Sequence, residues 1–325
     1  MKRIIVSILW LVSATSLFAQ NFSGEITKKT TIIARQEGLD TDSILNEKFG
    51  DTSVYLITDG YYKSSYLKNG EMTYGYTYHK GEDKIFDENA EDPYITYRDV
   101  RKPNSTESNR QVFRDSTIEV MGYKCFLVKS EYEDHTTHSY YTDELKVKYD
   151  NFEGHTIANW YEHLKELDGA QLLKVVSEYA SYTEVSEAIK VDVRDVAISE
   201  FDLPNDKPVV ASYQALDEEV GMKEVTTAMA TCYNEKISAV SSSKPDATEN
   251  TVYISLIVTE DGSMEYLKAV EEDANGFHKV ALDIVQNCGL KLVPGKIDGK
   301  AVASQTYFPI TFRIDLNYLS RFFKR

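Results

Sequence analysis

Thr251–Val258 (TVYISLIV), the turn Asp261-Gly262, Phe277–Asn287 (FHKVALDIVQN), the turn Pro294–Lys300 (PGKIDGK) and Thr306–Leu316 (TYFPITFRIDL) decide the fold of the last quarter of the chain. Val252, Ile254, Leu256 and Val258 alternate with Tyr253, Ser255, Ile257 and Thr259, the period of a strand with one buried face. Asp261-Gly262 turns the chain back into Met264–Val270. Phe277, Val280, Ala281, Ile284, Val285 and Cys288 recur at the spacing of a one-faced helix, and Gly289 suits its stop. The last segment puts Phe308, Ile310, Phe312, Ile314 and Leu316 on one face. Pro309 has no N–H for a ladder, so this strand belongs at an edge or where pairing is incomplete.

Upstream, residues 20–205 read as antiparallel β. Strands are expected at Ser53–Thr58, Tyr61–Leu67 and Met72–Tyr78, joined by Asp59-Gly60 and Asn69-Gly70. Further strands are expected at Thr117–Val120, Tyr123–Glu131, Ser139–Thr142, Leu172–Tyr182 and Ile189–Phe201. Ile157, Trp160, Leu164 and Leu167 predict one helix, stopped at Gly169. Residues 206–250 read as a linker, with Pro208 among polar residues, plus a helix over Leu216–Val240 leading into a domain at 251–325. The fold class is therefore α+β: an antiparallel β-meander or half-barrel with one helix, then a small α+β domain.

The chain has 325 residues and a formal charge of −16. Such an acidic surface repels phosphate backbones, so nucleic acid is not an expected partner. Lys2 and Arg3, the apolar run Ile4–Phe18 and the small residue at Ala19 read as a signal peptide over residues 1–19. The expected location is periplasmic or secreted, the alternative being an uncleaved inner-membrane anchor. Export makes a Cys232–Cys288 disulfide a candidate, with free buried thiols as the alternative. No nucleophile, P-loop, dinucleotide or zinc-protease motif is present, so no catalytic residue, cofactor or metal is expected. His135 and His138 with Asp134 sit at an expected hairpin tip, where the sequence supplies no further ligand.

The segments TEDGSMEYLKAV, FHKVALDIVQN, LVPGKIDGKAV and TYFPITFRI are together similar to the C-terminal domain of TonB, over about residues 250–316. The family carries a Trp ahead of this Pro-Gly, where Leu292-Val293 stand here. The resemblance implies binding of an outer-membrane or periplasmic protein or peptide by strand addition. The docking strand would then be formed by Thr306, Tyr307, Phe308, Pro309, Thr311, Arg313 and Asp315. The alternative is an edge covered by the chain's other domain or by a second copy of the chain. Energy transduction for outer-membrane transport would also need an anchor and a stiff spacer, and the seven Pro are scattered.

More weakly, MGYKCFLVKSEY, YYTDEL and SEFDLP resemble secreted β-domains similar to the LolA lipoprotein carriers. That resemblance implies an apolar ligand, a lipid for instance, with Met72, Tyr74, Tyr76, Tyr78 and Trp160 as candidate lining. The alternative is that these residues simply fill the core.

Overall fold

Tight turns and alternating strands build most of the molecule. The computed structural model describes residues 21–102, 109–243 and 249–313. The expected signal peptide at residues 1–19 and Ile314, Asp315 and Leu316 of the expected last strand lie outside them.

The strands in chain order are β1 (Gly24–Ala34), β2 (Thr52–Thr58), β3 (Tyr61–Lys68), β4 (Glu71–His79), β5 (Lys84–Asn89), β6 (Ile95–Asp99), β7 (Asn109–Val120), β8 (Tyr123–Glu131), β9 (His135–Lys146), β10 (Ala170–Tyr179) and β11 (Tyr182–Val193). Then come β12 (Val209–Ala211), β13 (Gly221–Met222), β14 (Glu249–Val258), β15 (Met264–Ala269), β16 (Leu292–Val293), β17 (Lys296–Ile297), β18 (Lys300–Ala301) and β19 (Ser304–Arg313). The helices are α1 (Thr41–Glu47), α2 (Trp160–Glu166), α3 (Thr227–Ser243) and α4 (Phe277–Asn287). No helix among the described residues is long and apolar enough to cross a membrane.

Fifteen strands form one open sheet in the order β15-β14-β19-β12-β6-β5-β4-β3-β2-β1-β11-β10-β9-β8-β7. β1 is the seam of the N-terminal part. It pairs with β2 on one side, from Gly24↔Ile57 to Lys29↔Thr52. On the other it pairs with β11, from Gly24↔Val193 to Ala34↔Tyr182. Two antiparallel meanders therefore run outward from it. At the β3–β4 turn both Asn69 (φ 54°) and Gly70 (φ 84°) are left-handed, as a tight two-residue hairpin requires. Gly169 stops α2 at φ 77°, and a Cβ there would lie 2.0 Å from the Val147 carbonyl oxygen.

The N-terminal core lies on the face covered by α2. Ile26, Ile57, Tyr62, Tyr78, Cys125, Phe152, Leu164 and Leu173 are all buried there. Each such aliphatic or Phe side chain contributes roughly 1.5–3 kcal/mol on burial.

In the C-terminal module α4 lays Phe277, Ala281, Ile284 and Val285 on Val252, Ile254 and Leu256 of β14 and Ile310 and Phe312 of β19. The Asp273 carboxylate accepts the N–H groups of Phe277 and His278, so it caps the start of α4. Cys232 on α3 and Cys288 at the end of α4 form a disulfide.

Several expectations are corrected. The 206–250 stretch is more than a linker and helix. β12 runs parallel to β6 (Val209↔Ile95) and meets β19 at Ala211↔Ser304, joining the two halves of the sheet. α3 begins at Thr227 rather than Leu216. Leu216 packs with Ala211 and Ala215 in a small core of its own, and the Thr226 hydroxyl accepts the Met229 N–H as an N-cap. β11 ends at Val193 and a 3-10 turn at Ile198–Phe201 replaces the expected strand end, because Glu200 draws in both Arg194 and the Ala197 N–H. β1, β5, β6 and α1 carry no clear periodic signal and were not expected.

Candidate functional site

Two features stand out: the outer side of β19 and a cavity under the N-terminal sheet.

β19 pairs with β14 along its whole length, from Ser304↔Val258 to Arg313↔Glu249. In an antiparallel strand, alternate residues turn their N–H and C=O toward the partner and away from it. The Thr311 carbonyl accepts the Tyr233 hydroxyl of α3 at 3.2 Å, so Thr311 belongs to the outward row. By period two, Gln305, Tyr307, Pro309 and Arg313 belong to it as well. β12 covers only the start of this row, at Ser304. Among the described residues no strand pairs with it from Tyr307 to Arg313. Pro309 sits where its missing N–H costs no ladder bond.

The expected docking residues thus divide. Tyr307, Pro309, Thr311 and Arg313 share the open row. Thr306 and Phe308 turn their backbone groups to β14, and Phe308 packs into the module's core. Asp315 lies outside the described residues. The ring of Tyr213 meets that of Tyr307 edge-on at 5.5 Å, near the covered end. Beside the row is a cavity of about 340 Å³ lined by Met222, Val225, Met229, Tyr233, Phe308 and Pro309.

The second feature is a cavity of about 500 Å³ lined by β1–β4, the end of α1 and the loop after it, β9–β11 and α2. Tyr55, Tyr66, Tyr74, Tyr76, Tyr141 and Trp160 supply its aromatic wall. Of the five expected lining residues, Tyr74, Tyr76 and Trp160 face it. Tyr78 does not: it is 2% exposed and stacks on Tyr62 at 5.3 Å, against Phe152 and His155. Met72 is also absent from the wall. The β3–β4 register shifts between Tyr66↔Tyr74 and Leu67↔Met72, and this bulge takes Met72 out of the alternation. Burial raises the hydroxyl pKa of Tyr55 and Tyr76, so both stay protonated.

The residue that pattern reading missed is Lys28. On β1 it shares the inward face with Ile26, Thr30 and Ile32 and lines the cavity. A charge at an inward position breaks the apolar alternation that would have marked both the strand and the site.

Other candidates are placed by the fold. His155 is buried and shares a 2.5 Å hydrogen bond with the Tyr62 hydroxyl, and burial pulls its pKa down to about 4. His135 bonds Asp134 at 2.6 Å and lies between the rings of Tyr132 and Tyr179. His138 approaches Glu178 at 4.0 Å. No group of three or more His, Cys, Asp or Glu that could hold a metal occurs among the described residues. Cys125 is a free buried thiol, pushed up to about 11 chiefly by burial, so it is a poor nucleophile.

No curated protein matches the chain. Among solved structures, PNGF-II is 11% identical with a TM-score of 0.37, over 74% of this chain and 44% of that one. The chain therefore spans less than half the length of PNGF-II. The Mycobacterium tuberculosis lipoprotein LppX is 9% identical with a TM-score of 0.26, over 54% and 90% of the two chains. The LolA superfamily protein NE2245 of Nitrosomonas europaea is 8% identical with a TM-score of 0.26, over 56% and 91%. Residues 243–314, which contain β14, β15, α4 and β19, match the family model described as Gram-negative bacterial TonB protein C-terminal.

Proposed function

We propose that this is an exported envelope protein, without catalytic activity, that binds an extended segment of a partner protein by adding it as a strand to the outer side of β19. The observation that carries this reading is the row from Tyr307 to Arg313, which no strand among the described residues pairs with and where the Tyr233 hydroxyl meets only the Thr311 carbonyl, beside a fully paired inner row. An unpaired row of main-chain donors and acceptors is what strand addition uses, and neighbouring pockets select the guest's alternate side chains. The family match over residues 243–314 supports it. So does the Cys232–Cys288 disulfide, which suits an oxidising compartment such as the periplasm.

The test is amide exchange on the full chain during titration with extended peptides from outer-membrane receptors. Protection is expected at Tyr307 and Thr311, with the β14 amides unchanged. Tyr307→Pro removes one outward N–H and should weaken binding about tenfold, the equivalent of one hydrogen bond of about 1.4 kcal/mol. Thr306→Pro instead removes an inward N–H and should break the β14–β19 ladder. If no peptide protects Tyr307 or Thr311, the proposal is wrong.

A second reading, carriage of an apolar ligand, is favoured by the 500 Å³ aromatic cavity, a volume within the roughly 300–1,000 Å³ of small-molecule sites.

A further inference from the structure

The cavity wall has two chemistries. Half of its lining residues are aromatic or aliphatic, Tyr66, Tyr74, Tyr76, Trp160, Leu164 and Val175 among them. Around Lys28 it turns polar, with Thr30, Ser53, Ser64 and Ser186. Thr30 and Ser186 bond each other at 3.2 Å and leave Lys28 alone.

Lys28 is set apart from neighbouring lysines by its partners. Lys29, next to it on the opposite face, pairs with Asp51 at 2.6 Å. Lys190 on β11 pairs with Glu25 at 3.1 Å, and Lys174 on β10 pairs with Glu187 at 2.9 Å. The residues directly across from Lys28 are Ala188 on β11 and Ser53 on β2, so neither flanking strand offers a carboxylate. The Lys28 ammonium makes no ion pair or hydrogen bond within the described residues.

The other charged groups on the wall are accounted for. Glu184 meets Lys48 at 3.2 Å, and Lys48 also bonds the Tyr179 hydroxyl at 3.2 Å. Glu47 is exposed, and its charge is met by water. Lys28 is the wall's charge without a counterpart. Lys28 is only partly exposed, and a partly desolvated cation without a partner is costly to keep in a folded protein, a cost that an incoming anion reduces.

We infer that the cavity takes an amphiphile with an anionic head, whose carboxylate or phosphate pairs with the Lys28 ammonium while its apolar tail lies along the Tyr and Trp wall. The inference rests on the second reading above and adds the chemistry of the head. Burial pulls the Lys28 pKa down to about 8, so the group is still cationic at neutral pH. A neutral lipid would satisfy the aromatic wall and leave the ammonium as it was. An anionic one satisfies both.

The test is calorimetric titration of the full chain at pH 7 with three ligands of one tail length: dodecanoate, dodecyl phosphate and dodecanol. At least one anion should bind about tenfold or more tightly than the alcohol, and the stronger of the two identifies the head. Lys28→Met should abolish that preference while leaving dodecanol affinity within about twofold, which also shows that the variant is folded. Lys28→Arg should keep it. Equal binding of acid and alcohol would overturn the anionic-head inference and leave the apolar-ligand reading standing. A preference that survives in Lys28→Met would remove Lys28 from the site. Absence of binding by all three would sink both readings.

Discussion

The N-terminal sheet and the C-terminal module are parts of one sheet, yet they leave different groups unused. In the N-terminal part nearly every strand has neighbours on both sides, from β2 to β6 and from β11 to β8. Backbone groups there are paired apart from the outer side of β7, and what else remains is a face: a cavity with an aromatic wall and one unpaired lysine, Lys28. In the C-terminal module one face of the sheet is covered by helices. α3 and α4 cover it and are tied by Cys232–Cys288. What remains there is an edge, the outward row of β19. A free face offers side-chain chemistry and suits small molecules. A free edge offers main-chain hydrogen bonds and suits another polypeptide.

If this contrast is right, perturbing one part should leave the other's chemistry intact. The largest effect is expected from the disulfide. It links residues 56 apart in sequence, and in the chain-entropy model such a link is worth about 4 kcal/mol. The Cys232→Ser, Cys288→Ser double variant should lower the module's urea stability by about that amount. Trp160 packs in the N-terminal core and reports on that part separately. If the Trp160 fluorescence transition shifts equally, the two parts form a single cooperative unit and the contrast is one of geometry alone.

The next effect belongs to the N-terminal core. His155 is neutral in the folded state, with a pKa near 4, while an unfolded histidine takes up a proton near 6.5. Between those values the unfolded chain binds more protons, so stability falls as pH drops from about 6.5 to 4. The loss is on the order of 3 kcal/mol at about 1.4 kcal/mol per pH unit. In His155→Phe this part of the slope should vanish, whatever the variant's stability at pH 7. Urea midpoints measured from pH 7 to 4 in both proteins would check it. An unchanged slope would mean that carboxylates alone set the acid limit.

The smallest effect is expected at the seam. Lys268 of β15 pairs with Asp92, and the rings of Tyr94 and Tyr266 lie 5.7 Å apart beside them. Lys268 is about half exposed, so Lys268→Ala should cost only about 0.2–1 kcal/mol. It should also widen the gap between the Trp160 transition and that of the module. No change would place the coupling in β12.

How much could be read in advance depended on how local the signal was. The β14 and β19 alternations, the Asn69-Gly70 turn and the Gly169 stop are short-range patterns and stand in the fold where they were read. β12 was missed because three residues after Pro208 carry no periodicity, and their strand geometry comes only from β6 and β19. Met72 was misplaced because a bulge reverses alternation without announcing itself in the residues.

By itself, then, the amino-acid order determined an α+β protein with a two-faced final strand and an aromatic β4, because side-chain period is a property of a strand alone. Which row of β19 stays open was decided only in three dimensions, by the register in which β14 takes up the other row. So was the isolation of Lys28, which depends on Ala188 and Ser53 lying opposite it. The physical reason is the same in both cases. A hydrogen bond or ion pair needs a partner distant in the chain, and no local period records which partner arrives.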